Sequence, residues 1–198
     1  MSDISIENLY KSFSDQIVLQ NLNLNIKNGE RICIMGSSGC GKTTLLNILL
    51  GFESPDNGTI SGIPDNISAV FQENRLCEDF SALSNVRAVL KSKREQQKAI
   101  SILNAFNLGD SINKPIKNLS GGMKRRVAIA RALVAESDLL ILDEPFKGLD
   151  DYTKTQVMQC LAEHLKNKTV ILVTHDESEA IYLKAKIYHM KNGQIDNV

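Results

Sequence analysis

The chain has 198 residues, 42% of them apolar, and its 23 Lys and Arg are balanced by 23 Asp and Glu. That is enough chain for one α/β domain with a small subdomain, and a net charge of zero argues against a broadly basic surface for nucleic acid or anionic membrane. No apolar run approaches membrane-spanning length, and Met1-Ser2-Asp3-Ile4-Ser5 lacks the basic start and apolar stretch of a leader, so a cytoplasmic setting is expected.

In chain order, Ile4 and Ile6, then Leu22, Leu24 and Ile26, alternate with polar residues and predict strands. Asn28-Gly29-Glu30 predicts a turn, and the apolar run Arg31-Ile32-Cys33-Ile34-Met35 predicts a buried strand. It leads into Gly36-Ser37-Ser38-Gly39-Cys40-Gly41-Lys42-Thr43-Thr44, which matches G-x-x-x-x-G-K-[ST], and then into the helix-spaced segment Leu45–Leu50. Strand, glycine loop and helix together make a phosphate cradle. Glycines allow a tight turn that brings backbone N–H groups to an anion, and the helix adds its positive end. In that cradle Lys42 is expected on the β- and γ-phosphates of a nucleotide and the Thr43 hydroxyl on Mg²⁺, a loop that by itself would suit a kinase, a GTPase or an ATPase. Cys40 lies inside the loop beside Lys42, either as a tolerated residue or as a reactive thiol. The four cysteines (Cys33, Cys40, Cys77 and Cys160) form no C-x-x-C pair or metal-ligand spacing, as expected of reduced thiols.

Further along, Ser54-Pro55-Asp56-Asn57-Gly58 predicts a turn and Ile67–Phe71 a buried strand. Ser84 to Phe106 reads as polar and helical, part of a small helical subdomain spanning about 73–135 and inserted into a single domain over 1–198. Ser120-Gly121-Gly122 precedes an amphipathic helix with Val127, Ile129, Ala130, Leu133 and Val134 on one face. Lys124-Arg125-Arg126 reads as a solvated part of that helix rather than as a nucleic-acid patch. Leu139–Leu142 predicts a central parallel strand, followed by a helix near Tyr152–Leu165, the strand Val170–Val173, a short helix, the strand Lys186–Met190, a turn and a last strand. The expected fold is α/β: a P-loop NTPase core with a mainly parallel sheet, an antiparallel N-terminal β subdomain and a small α-helical subdomain.

Asp143-Glu144 ends the Leu139–Leu142 run, which places two carboxylates at the carboxyl end of a strand, where α/β sheets bind ligands. Asp143 is expected to hold Mg²⁺, and Glu144 to polarise an attacking water.

Leu119-Ser120-Gly121-Gly122-Met123 resembles the signature motif of ATP-binding-cassette (ABC) ATPases. Other elements of that family follow its usual order over nearly the whole chain. The resemblance implies that Phe13 stacks on adenine, that Gln72 is the Q-loop glutamine and touches Mg²⁺, that Asp150 belongs to the D-loop, and that His175 is the switch histidine. Glu144, His175, Gln72 and Lys42 are then the catalytic set, with ATP and Mg²⁺ as cofactors. It also implies a head-to-tail pair with a second ABC subunit, two identical chains being the simplest case. Ser120, Gly121, Gly122 and Met123 of one copy would close over ATP held by the other. An integral membrane permease is the further partner, with a solute-binding protein in an import system, and nucleic acid is not expected. The chain would then sit on the inner face of the cell membrane through its permease. Phe71-Gln72-Glu73-Asn74-Arg75-Leu76 and Asp143-Glu144-Pro145-Phe146 resemble nitrate, sulfonate and taurine importer ATPases. An exporter or lipid-extraction subunit, or a non-transport ABC ATPase, stands as the alternative.

Overall fold

The computed structural model describes residues 2–92, 95–166 and 168–196. The elements are β1 (Ile4–Phe13), β2 (Gln16–Ile26), β3 (Arg31–Met35), α1 (Lys42–Leu49), β4 (Asn57–Ser61), β5 (Ile67–Val70), α2 (Ala82–Arg87) and α3 (Gln96–Ala105). After them come α4 (Gly121–Val134), β6 (Leu139–Asp143), α5 (Asp151–His164), β7 (Thr169–Val173), α6 (Glu177–Tyr182), β8 (Lys186–Lys191) and β9 (Gln194–Asp196). They fall into two compact units, one of Met1–Ile67, Asp138–Asp143 and Asn167–Val198, the other of Ser68–Ser137 and Glu144–Lys166.

The first unit carries two sheets. Antiparallel β2-β1-β4 is the smaller, with Ile4 opposite Ile26, Ile6 opposite Leu24 and Leu9 opposite Leu22. The ladder shifts after Ile6, where Asn8 takes φ 50°; its N–H donates to Asn23 Oδ1 at 2.9 Å, so a side chain replaces the missing ladder bond. In the larger sheet β6, β7, β3 and β8 run parallel, with β9 antiparallel on β8. Every position of β6 and β7 is buried, which is why both read as apolar runs; β6 ends on Asp143, and β7 opens on Thr169, whose Oγ1 accepts from Gly29 N–H at 2.9 Å. The expected α/β P-loop architecture, with its antiparallel N-terminal sheet, is the one observed.

The second unit is mostly helical. Val127, Ile129, Ala130, Leu133 and Val134 of α4 are buried, and α4 packs on α2, α3 and α5. Ser81 caps α2 by accepting from Ser84 N–H at 3.1 Å. The Asn85 side chain, 2% exposed, accepts from Cys77 N–H at 2.8 Å and donates to the carbonyls of Cys77 and Ser81 at 3.1 and 3.0 Å, folding the loop before α2 onto that helix.

Three expectations need correction. The helical stretch from Ser84 to Phe106 is two helices, α2 and α3, with Lys93 and Arg94 between them lying outside the described residues. Burial in α3 is confined to Ala99, Ile102 and Leu103, in keeping with the polar character of the segment. Asn57 and Gly58, read as a turn, already belong to β4. Gly58 has φ 91°, and a Cβ there would sit 2.5 Å from Asn8 O, so the glycine serves a close strand approach. Finally, Arg125 is not solvated: it is 3% exposed.

Candidate functional site

In the first unit the loop Gly36–Gly41 joins β3 to α1. Gly39 and Gly41 take φ 79° and 110°, where a side chain is costly. A Cβ on Gly36 would meet Met190 O at 2.4 Å, and one on Gly41 would meet Leu19 Cδ2 and Val18 O at 2.8 Å. Gly41 is the N-cap of α1 and supplies no side-chain cap, so the first amides of that helix are not claimed by a capping group. Lys42 is 8% exposed and donates from Nζ to Gly36 O at 2.6 Å and to Ser37 O at 2.9 Å, with Cys40 Sγ at 3.7 Å. Cys40 is itself 8% exposed. Its carbonyl accepts from Gly193 N–H at 3.2 Å, while Gly193 O accepts from Gln20 N–H at 3.1 Å, so the β8–β9 turn braces the loop against β2. A cleft of about 360 Å³ opens here, lined by Gln16, Ile17 and Val18, by Ser37, Ser38, Gly39 and Cys40, and by Asn192 and Gly193. Ser37, Ser38, Gly39 and Thr43 are exposed and Thr44 is half-buried.

Phe13, 44% exposed, ends β1 with Lys11 Nζ 5.1 Å from its ring centre. Asp56 ties down that strand end. It accepts from Lys11 Nζ at 2.9 Å, from Ser12 N–H at 2.7 Å and from Ser12 Oγ at 2.9 Å, and these bonds, the Lys11 one first, hold its carboxyl at about 2. Asp143 is buried at the end of β6. His175 is exposed just beyond β7. It rides on a tight turn in which buried Thr174 donates from Oγ1 to Glu179 Oε2 at 2.5 Å and accepts from Asp176 N–H at 3.1 Å.

In the second unit Gln72 is exposed, and Arg75 stacks 3.8 Å from the Phe71 ring centre. Ser120 caps α4, accepting from Met123 N–H at 3.3 Å, as its serine-glycine-glycine context leads one to expect. Gly121 is exposed, and a Cβ on it would meet nothing within 4 Å. Asp150 caps α5 through Thr153 N–H at 3.0 Å, and that bond lowers its pKa. Glu144 stands at φ 47° and its carbonyl accepts from Arg125.

The ABC transporter family profile matches residues 19–147. The chain belongs to the ABC transporter family. It is 41% identical to an aliphatic sulfonates import ATP-binding protein of Agrobacterium fabrum over 96% of this chain and 72% of that one. It is 39% identical to a spermidine/putrescine import ATP-binding protein of Acetivibrio thermocellus over 97% of this chain, spanning 59% of that longer relative. Among solved structures, the ATP-binding cassette MJ0796, as a dimer in a post-hydrolysis state bound to ADP and Pi, superposes with a TM-score of 0.86 at 32% identity, covering 98% of this chain and 97% of that one.

Sequence reasoning missed Arg125, Asn85, Asp56 and the Thr174–Glu179 pair as organising residues. A signal did exist for Arg125: it stands four residues before Ile129, on the apolar stripe of α4.

Proposed function

We propose that the chain is the ATP-hydrolysing subunit of an ABC import system, acting as a head-to-tail pair on a separate membrane permease. The observation that carries this reading is the glycine loop Gly36–Gly41, with Lys42 poised on its carbonyls at the uncapped start of α1. Loop amides from Gly36 to Thr44 hold the phosphates, and Phe13 stacks on adenine. Thr43, Asp143 and Gln72 offer a hydroxyl, a carboxylate and an amide carbonyl, all hard oxygen donors. Such donors suit Mg²⁺, an ion that keeps water and phosphate oxygens as most of its ligands. Mg²⁺, when bound, neutralises charge developing on the phosphates.

Glu144 polarises the attacking water, while Lys42 and His175 stabilise charge on the γ-phosphate. Ser120, Gly121, Gly122 and Met123 of one copy close over nucleotide held by the other, with Asp150 beside the joint. Gly121 leaves room for such a contact: it is exposed, and a Cβ on it would meet nothing within 4 Å. ATP drives closure because it binds the paired state better, and hydrolysis releases it. No described helix is long and apolar enough to cross a membrane, consistent with a motor that borrows its membrane span from a permease. The permease and a solute-binding protein choose the cargo.

The test is Glu144→Gln. It should bind ATP with Mg²⁺ as the parent does, turn over at least about 100-fold more slowly and accumulate a dimer in sizing experiments. Turnover at the parental rate would remove Glu144 as general base. Co-purification with a permease and a solute-binding protein supports import; a permease alone favours export.

A further inference from the structure

We propose that Arg125 is a positioning residue for hydrolysis, holding from the signature helix the backbone of both Glu144 and the Gln72 segment. The proposal rests on reading Glu144 as the general base. The Arg125 guanidinium, 3% exposed, donates from Nε to Pro145 O at 2.8 Å and from Nη2 to Glu144 O. Its Nη1 reaches Phe71 O, Gln72 O at 3.3 Å and Asn74 Oδ1 at 3.3 Å. A planar group with five N–H donors suits such a set of acceptors, which a lysine ammonium could not span. Burying a guanidinium is costly, so a helix that needed only packing at this position would do better with leucine.

What the side chain holds explains its presence. Glu144 stands in the left-handed region at φ 47°, and Arg75 does so at φ 45°. Non-glycine residues take that conformation at a cost and keep it only where their surroundings impose it. Both turns have their carbonyl held by an arginine of α4: Glu144 by Arg125, and Arg75 by Arg131 Nη1 at 2.9 Å. The same helix begins with Ser120, Gly121 and Gly122. One rigid element therefore carries the segment read as closing on a partner's nucleotide and also sets the direction of the Glu144 backbone. Phosphoryl transfer depends on placement, so a small tilt of the Glu144 peptide should be felt in turnover more than in ATP affinity.

The experiment compares Arg125→Met and Arg125→Gln with the parent chain, measuring kcat and KM for ATP, the equilibrium Kd for ATP, and thermal unfolding. Each variant is also combined with Glu144→Gln and followed in single-turnover assays with labelled ATP. The expected result is a fall in kcat of about 10- to 100-fold with Kd within about threefold, and no further loss in the double variants, because both changes act through one group. A folded variant with kcat within about twofold of the parent overturns the proposal, as does a loss that multiplies with that of Glu144→Gln. If both neutral variants fail to fold, Arg125→Lys keeps the buried charge without the fork; it should fold and still lose kcat, and parental kcat in it overturns the proposal. Full turnover in Glu144→Gln alone, with Arg125 intact, overturns the general-base reading and this inference with it.

Discussion

The ammonium of Lys42 lies 2.6 Å from the carbonyl oxygen of Gly36, so the lysine already holds the loop in which it is read as a phosphate ligand. Nucleotide must win the ammonium from Gly36 and Ser37 or share it with them. Lys42→Ala then removes both a phosphate partner and a brace of the loop. We expect ATP affinity to fall about 10- to 100-fold, the worth of one or two charge-assisted hydrogen bonds. Titration with a fluorescent ATP analogue measures it; unchanged affinity would take Lys42 out of the site.

Gly121→Ala should separate folding from pairing. The added methyl meets nothing within 4 Å, and alanine favours helix over glycine by up to about 1 kcal/mol, so thermal unfolding should be unchanged or slightly higher. ATP-dependent dimerisation and turnover should fall at least about tenfold if a partner's nucleotide packs on this glycine. Parental turnover would show that the open space at Gly121 stays open.

Gly193→Ala tests the brace on the phosphate loop. Its φ of 75° disfavours alanine, and the new Cβ would stand 2.4 Å from Val18 O. The β8–β9 turn must shift, loosening the Gly193 N–H bond to Cys40 O. A loss of about 2 kcal/mol in stability and weaker ATP binding are expected from chemical denaturation and titration. A variant with parental stability and ATP affinity would show that the brace is dispensable.

Asp56→Asn has a pH signature. The folded carboxyl is held near 2 against an ordinary value of 3.8, so folding favours the ionised form. Its stabilisation is complete above about pH 4 and is lost as pH falls through about 2. Parent and variant should therefore differ in stability at neutral pH and converge across that window. A difference independent of pH would assign the role of Asp56 to shape rather than charge.

Much of this was legible in the sequence for physical reasons. β6 and β7 are buried at every position and so spelled themselves out as apolar runs, and the phosphate loop carries glycines that backbone geometry and close approach both require. β4 was not legible, because an edge strand that lies against a bulge can be written in turn residues: Asn57 pairs with Tyr10 and Gly58 lets the strand pass close to Asn8 O, and neither residue is buried in a core. Arg125 was misread because a cationic triplet looks solvated until the carbonyls around it are known, and those come from Phe71, Gln72, Glu144 and Pro145, far from it in the chain. The Thr174–Glu179 pair was hidden for the same reason: a buried hydroxyl and carboxylate are polar letters whose partner only the turn reveals.

The brace between Gly193 and Cys40 has a consequence for biosynthesis. A ribosome that has released every residue through Lys191 has delivered the whole glycine loop but not the amide that steadies it. Steadying of the glycine loop therefore waits on the β8–β9 turn, and the two order together as the chain folds.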